Sequence, residues 1–133
     1  MNNTNVRVDL RIMGDEFDAQ VISKEIGILP TTSWNIGDHI RDTDKVRTYT
    51  AWIFSTGAEE TLDVNTQLRK IEDRFLSKVG VLCKLRKEYN LEICIDIVII
   101  IENQSPPAIY LDSSIIHFAS NIDAKFDIDT YIN

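Results

Sequence analysis

Residues 91–101 read LEICIDIVIII, and this stretch constrains the fold more than any other part of the chain. Leu91, Ile93, Ile95, Ile97, Ile99 and Ile101 occupy every second position, the period of a strand with one face in a core. The intervening residues are Glu92, Cys94, Asp96, Val98 and Ile100, so the other face starts polar and ends apolar. A solvated face does not ordinarily carry Val98 beside Ile100. The sequence therefore implies a cover over that end, supplied by a loop, a second subunit or a partner. The pattern fixes the fold class and leaves function open.

Other elements follow by the same reasoning. Val6, Val8, Leu10 and Ile12 alternate with Arg7, Asp9 and Arg11, which predicts a first strand over about 6–13. Gly14 ends it. Asp15 and Asp18 are both candidate N-caps for a short helix to Ile26, because a carboxylate accepts from the orphan N–H groups of a first turn. Gly27 supplies the left-handed residue after that helix, and Pro30 closes it off. Residues 30–45 (PTTSWNIGDHIRDTDK) show no clear period. A second strand is predicted at about 46–54.

Asp63 caps the strongest predicted helix, with Val64, Leu68, Ile71 and Phe75 at helical spacing. A break near Ser77 separates it from a helix carrying Leu82, Leu85 and Tyr89, and Asn90 stands where a C-cap belongs. After the long strand come a turn at 104–107, a short strand at 108–111, a helix at 113–120 behind Asp112, and a last strand at 125–131. The order is β-α-β-α-β-β-α-β. The sequence thus predicts a single α+β domain over 1–133, with a mostly antiparallel sheet and helices packed on one face. From the second strand onward it reads as a ferredoxin-like βαββαβ core, preceded by an extra β-α unit.

A chain of 133 residues is long enough to bury a core without staples. Fourteen Lys and Arg against 21 Asp and Glu leave a net charge of −7. That balance argues against nucleic acid, which requires a positive surface to displace counterions, and favours encounter with a basic partner. The opening MNNTNVRVDL lacks the features of a signal peptide, and Asp96 interrupts the longest apolar run, so no membrane partner and a cytoplasmic location are expected. Cys83 and Cys94 lack metal-ligand spacing and read as buried thiols in a reducing compartment.

Candidate chemistry is sparse. Asp127 and Asp129 in KFDIDTYIN point to one face of a strand, roughly 6.6 Å apart at the usual rise. Such a pair can hold a divalent cation or do acid/base work. The plainer reading pairs them with Arg7 and Arg11 on the non-core face of the first strand. Phe126, Ile128 and Ile132 take the core side.

Helix capping accounts for the acidic run at 14–18, which lacks the glycine and closing glutamate of an EF-hand loop. His117 lies in an apolar helix and reads as a partly buried packing residue. His39 has no nucleophile nearby. The chain has no P-loop, no dinucleotide fingerprint and no nucleophile elbow. Trp52 reads as core, and Trp34 as either a staple of its loop or an anchor for a partner. No catalytic residue, metal site or cofactor is assigned, and nothing in the chain asks for an enzyme.

The opening RIMGDEFDAQVISKEIGILPT, the strand with Trp52, the helix TLDVNTQLRKIEDRF and the closing FDIDTY together resemble the bacterial domain of unknown function 4279 family. The resemblance covers nearly the whole chain through an ordered series of short motifs. It implies a small, soluble bacterial protein and no established catalytic residues. In size and charge such proteins are similar in kind to the immunity proteins of bacterial toxin systems.

Two functional expectations follow. One is a non-catalytic interaction protein, of immunity type, that binds a protein partner or itself. Its candidate residues are Trp34, Asp96, Val98, Ile100, Asp127 and Asp129. The alternative is a small-molecule or divalent-metal-binding module on the open sheet face, where Asp96, Asp127 and Asp129 converge.

Overall fold

A computed structural model of the protein describes residues 2–133. Strand β1 (Asn5–Gly14) is the axis of the sheet. Its Val6, Val8, Leu10 and Ile12 are fully buried, and it pairs antiparallel with β3 (Thr50–Ser55) on one side and β5 (Glu92–Ile101) on the other. Beyond β5 lies β6 (Lys125–Ile132), the one parallel neighbour, reached through helix α4 (Ser113–Asn121). A parallel pair needs such a crossover. The short β2 (Thr32–Trp34) borders β3, and β4 (Glu59–Glu60) pairs with the start of β1. The result is an α+β fold around an open, mostly antiparallel sheet of six strands in the order β2-β3-β1-β5-β6, with β4 off that path.

The helices follow from local chemistry. Helix α1 (Ala19–Ile26) begins where Asp18, not Asp15, accepts from the Gln20 N–H at 2.9 Å. It ends at Gly27, whose φ of 76° a side chain would resist. Asp63 caps α2 (Val64–Phe75) through the Asn65 N–H at 2.9 Å. The break expected near Ser77 is a 3₁₀ turn at Leu76–Lys78, from which α3 (Val79–Tyr89) departs and ends at left-handed Asn90. At α4, Asp112 makes no cap bond and instead accepts from Arg69 at 3.1 Å.

All of these helices pack on one side of the sheet. Leu68, Ile71 and Phe75 of α2 share one apolar cluster with Ile93, Ile95, Ile97 and Ile99, as the alternation of residues 91–101 requires. Trp52 is fully buried there, with its indole N–H donating to the Ser23 hydroxyl at 2.9 Å and Phe75 edge-on at 6.1 Å.

Two expectations change. Residues 46–49 do not extend β3, because their backbone partners lie in the preceding loop: Gly37 N–H donates to Arg47 O at 2.8 Å and Arg47 N–H to Asp38 O at 2.7 Å. Residues 108–111 form no strand either. Pro106 and Pro107 bring no N–H to a ladder, and Ala108 is clamped to the start of α2 (Ala108 N–H to Leu62 O, 2.8 Å; Val64 N–H to Ala108 O, 3.2 Å). Without that strand the ferredoxin-like order is not reproduced. The β1 strand, read as an extra unit, holds the centre instead, because its apolar face makes it the natural partner of both β3 and β5.

Candidate functional site

No described helix covers the opposite side of the sheet, and its residues fall into rows fixed by strand register. The middle row crosses three strands as Asp9, Asp96 and Asp127. Three aligned carboxylates would repel, but the rows on either side carry cations: Arg11, Cys94 and Lys125 on one, Arg7, Val98 and Asp129 on the other. The last row is Asn5, Ile100 and Tyr131. This alternation of sign is why the polar face holds together.

The ion pairs differ from the simplest expectation. Arg11 is held by Asp96 in a two-pronged contact, Nε at 2.7 Å and Nη2 at 3.1 Å, with only 25% and 13% of the two side chains exposed. That carboxylate raises the guanidinium pKa further above its ordinary value, chiefly through the hydrogen bonds. Arg7 Nε lies 3.3 Å from Asp9 Oδ1 on its own strand. Lys125 pairs with Glu92. The arginines expected to neutralise Asp127 and Asp129 are therefore committed elsewhere. Among the described residues neither carboxylate forms an ion pair, and both are exposed.

Beneath this lattice Cys94 is buried beside Arg11, and burial pushes its thiol pKa up against the smaller opposing pull of Arg11. Cys83 is half-buried and its Sγ–H donates to Asn121 O at 2.9 Å. His39 is exposed, and so is His117, which was expected to be partly buried in packing.

The structure brings five of the six candidate residues together. Asp96, Val98, Ile100, Asp127 and Asp129 are neighbours on β5 and β6. Val98 and Ile100 are half-buried, bordered by Arg7, Asn5, Asp129 and Tyr131. Trp34 is not with them. It sits at the far edge, in the row of Ala51 and Met13, and so covers neither Val98 nor Ile100. Its ring is engaged within the chain, with the Arg47 guanidinium 3.8 Å from the centroid and Tyr49 edge-on at 5.8 Å.

Reading the sequence alone did not bring out a cleft of about 630 Å³ at the end of β1, lined by Arg11, Met13, Tyr49, Tyr89 and Glu92 with the 14–16 turn. Its walls come from three distant segments, and none of them carries a motif. Among the described residues no three His, Cys, Asp or Glu side chains come together to hold a metal ion. No described helix is long and apolar enough to cross a membrane.

Fold and surface together define a small α+β protein with one helix-covered and one open, charge-laced sheet face. The chain belongs to the family described as domain of unknown function (DUF4279), whose profile matches residues 4–133. No curated protein and no solved structure matches it.

Proposed function

We propose that the protein is a non-catalytic interaction module that docks a basic protein on its open sheet face. The observation that carries this reading is the corner formed by Val98, Ile100 and Tyr131, rimmed by Asp127 and Asp129, which have no cation of their own among the described residues. Half-buried aliphatics inside a polar rim are the ordinary anatomy of an interface, and unpaired carboxylates with a net charge of −7 select a positive partner. The immunity-type form of the proposal makes that partner a toxin domain. A cytoplasmic setting belongs to it and is supported by two cysteines left as thiols.

The test is affinity capture from the host with the wild-type chain, Val98→Glu, and Asp127→Lys/Asp129→Lys. A basic protein should be retained by wild type, released by salt and lost on both variants. If the captured protein is a toxin, co-expression of wild type and not of Val98→Glu should restore growth. The same proteins captured by all three chains would overturn the reading.

One observation favours the alternative of a small-molecule module. The cleft beside Arg11 has a volume within the usual range for ligand sites, and it offers two phenol rings, Tyr49 and Tyr89. Native mass spectrometry of the purified protein tests it. A retained mass lost on Tyr49→Ala or Tyr89→Ala would support this alternative, and an unadorned mass in both would remove its motive.

A further inference from the structure

The two edges of the sheet are built differently. One ends in β2, a strand of three residues, short as edges usually are when pairing is to be avoided. The other is β6, eight residues with no proline and a single lysine at its start. Ile128, Tyr131 and Ile132 on it are 44%, 56% and 77% exposed. Asn133 N–H donates to Ile101 O at 3.0 Å. Backbone groups of successive strand residues point to opposite sides, so the odd-numbered residues turn theirs towards β5. Phe126, Ile128, Thr130 and Ile132 turn theirs outward.

We propose that a second copy of the chain pairs with this edge, joining the two sheets antiparallel about Thr130. Outward-facing residues must meet outward-facing residues, which leaves only registers that pair even with even. Centring on Asp127, Ile128 or Asp129 sets an aspartate of one copy directly opposite an aspartate of the other, which is unfavourable. Centring on Thr130 gives the longest register free of that clash. Thr130 then faces Thr130, Ile128 faces the second copy's Ile132 twice over, and each Asp129 faces an uncharged Tyr131. Asp127 falls opposite Asn133. The exposed aliphatics thus meet one another on the helix-bearing side, and the open side carries no opposed charges. A single pair of strands is a small interface, so the dimer forms with rising concentration. The inference stands on the β6 edge alone and does not depend on a basic partner.

Sedimentation equilibrium tests it. The wild-type chain should pass from monomer to dimer below millimolar concentration. Thr130→Pro deletes an outward N–H that β5 does not use, so two central hydrogen bonds go per dimer and association should weaken at least about tenfold. Tyr131→Asp opposes carboxylates twice and should also weaken it. Tyr131→Lys opposes Lys to Asp129 twice and should tighten it several-fold. Should Thr130→Pro fail to fold, the two Tyr131 variants still decide. A chain that stays monomeric to millimolar concentration overturns the proposal, as does a dimer indifferent to these substitutions or an edge that accepts only a strand from another protein. Val98→Glu separates the two ideas: it should abolish capture of a basic partner and leave the dimer intact.

Discussion

The two faces of β1 and β5 are drawn from alternate residues of the same strands, yet different physics governs each. On the helix-bearing face Val6, Val8, Leu10, Ile12, Ile93, Ile95, Ile97 and Ile99 are all essentially fully buried, and shape is what matters. On the open face the same backbone presents Arg7, Asp9, Arg11, Cys94 and Asp96, where sign and partner matter. Shifting either strand by one residue would exchange the two sets, which is why register is so firmly specified here. The lesson is that a single alternating segment encodes both a core and a surface, and that the two should respond to mutation in different currencies.

The largest effect should therefore come from the packed face. Ile95→Ala or Ile97→Ala removes methyl and methylene groups from a fully enclosed site and should cost about 2–5 kcal/mol in denaturant unfolding. Losses below about half a kcal/mol at both positions, the range of an ordinary surface change, would show that the faces had been assigned the wrong way round.

The open face should respond next, through its one well-shielded ion pair. Asp96→Asn leaves the Arg11 side chain, three-quarters buried, without its carboxylate and should cost about 1.5–3 kcal/mol, the usual worth of hydrogen bonds to a charged group. Arg11→Met should cost a similar amount. The combined Arg11→Met/Asp96→Leu chain should recover most of the loss, because no charge is then left stranded. A loss in the double variant as large as in either single variant would instead mean that the pair stabilises the fold outright, and the contrast between the faces would narrow.

How much of this was legible beforehand depended on range. The core of β1 and β5, the caps at Asp18 and Asp63 and the left-handed Asn90 are all local signals, and each stands where period or capping chemistry put it. That Asp96, Val98 and Ile100 share one face of β5, and Asp127 and Asp129 one face of β6, was legible too; that the two faces lie side by side was not. What was not legible was non-local. Arg11 could have paired with either neighbouring strand, and nothing in the sequence says that β5 lies between β1 and β6. Residues 46–49 have strand-forming side chains, but their hydrogen bonds go to residues 37 and 38, a choice no propensity reveals. The cleft depends on Tyr49 and Tyr89 approaching from separate segments, and Trp34 on Arg47 closing over it.

A subtler difference between the faces concerns Cys94, which belongs to the open face yet is buried beneath its charges. Burial raises its pKa, so between the ordinary thiol value and the higher folded value the unfolded chain has lost a proton that the folded chain keeps. The associated stability is intact below about pH 8.5, the pKa of a free thiol, and declines as pH rises above it. Comparing wild type with Cys94→Ala across that range should show the wild-type advantage shrinking with pH. Iodoacetamide should accordingly label Cys94 only on unfolding. A thiol that reacts freely in the folded protein would mean that the charged lattice opens readily.

The smallest expected effect is also the one that bears most on function. Asp127 stands in the carboxylate row opposite Asp96, and Asp129 opposite Val98, with no ion pair for either among the described residues. If these two charges serve only an outside partner, removing them takes away repulsion and nothing else. Asp127→Asn/Asp129→Asn should then leave the melting temperature unchanged or slightly raised, and added salt should erase even that difference by screening. Calcium, magnesium or manganese should not move the melting temperature of either chain. A metal-induced rise that vanishes in the double variant would reassign the pair to a cation site, with the open face then a ligand surface instead of a docking one. A marked loss of stability without metal would show that the pair neutralises Arg7 or Arg11 after all, and the open face would then have no unpaired carboxylates left for a basic partner.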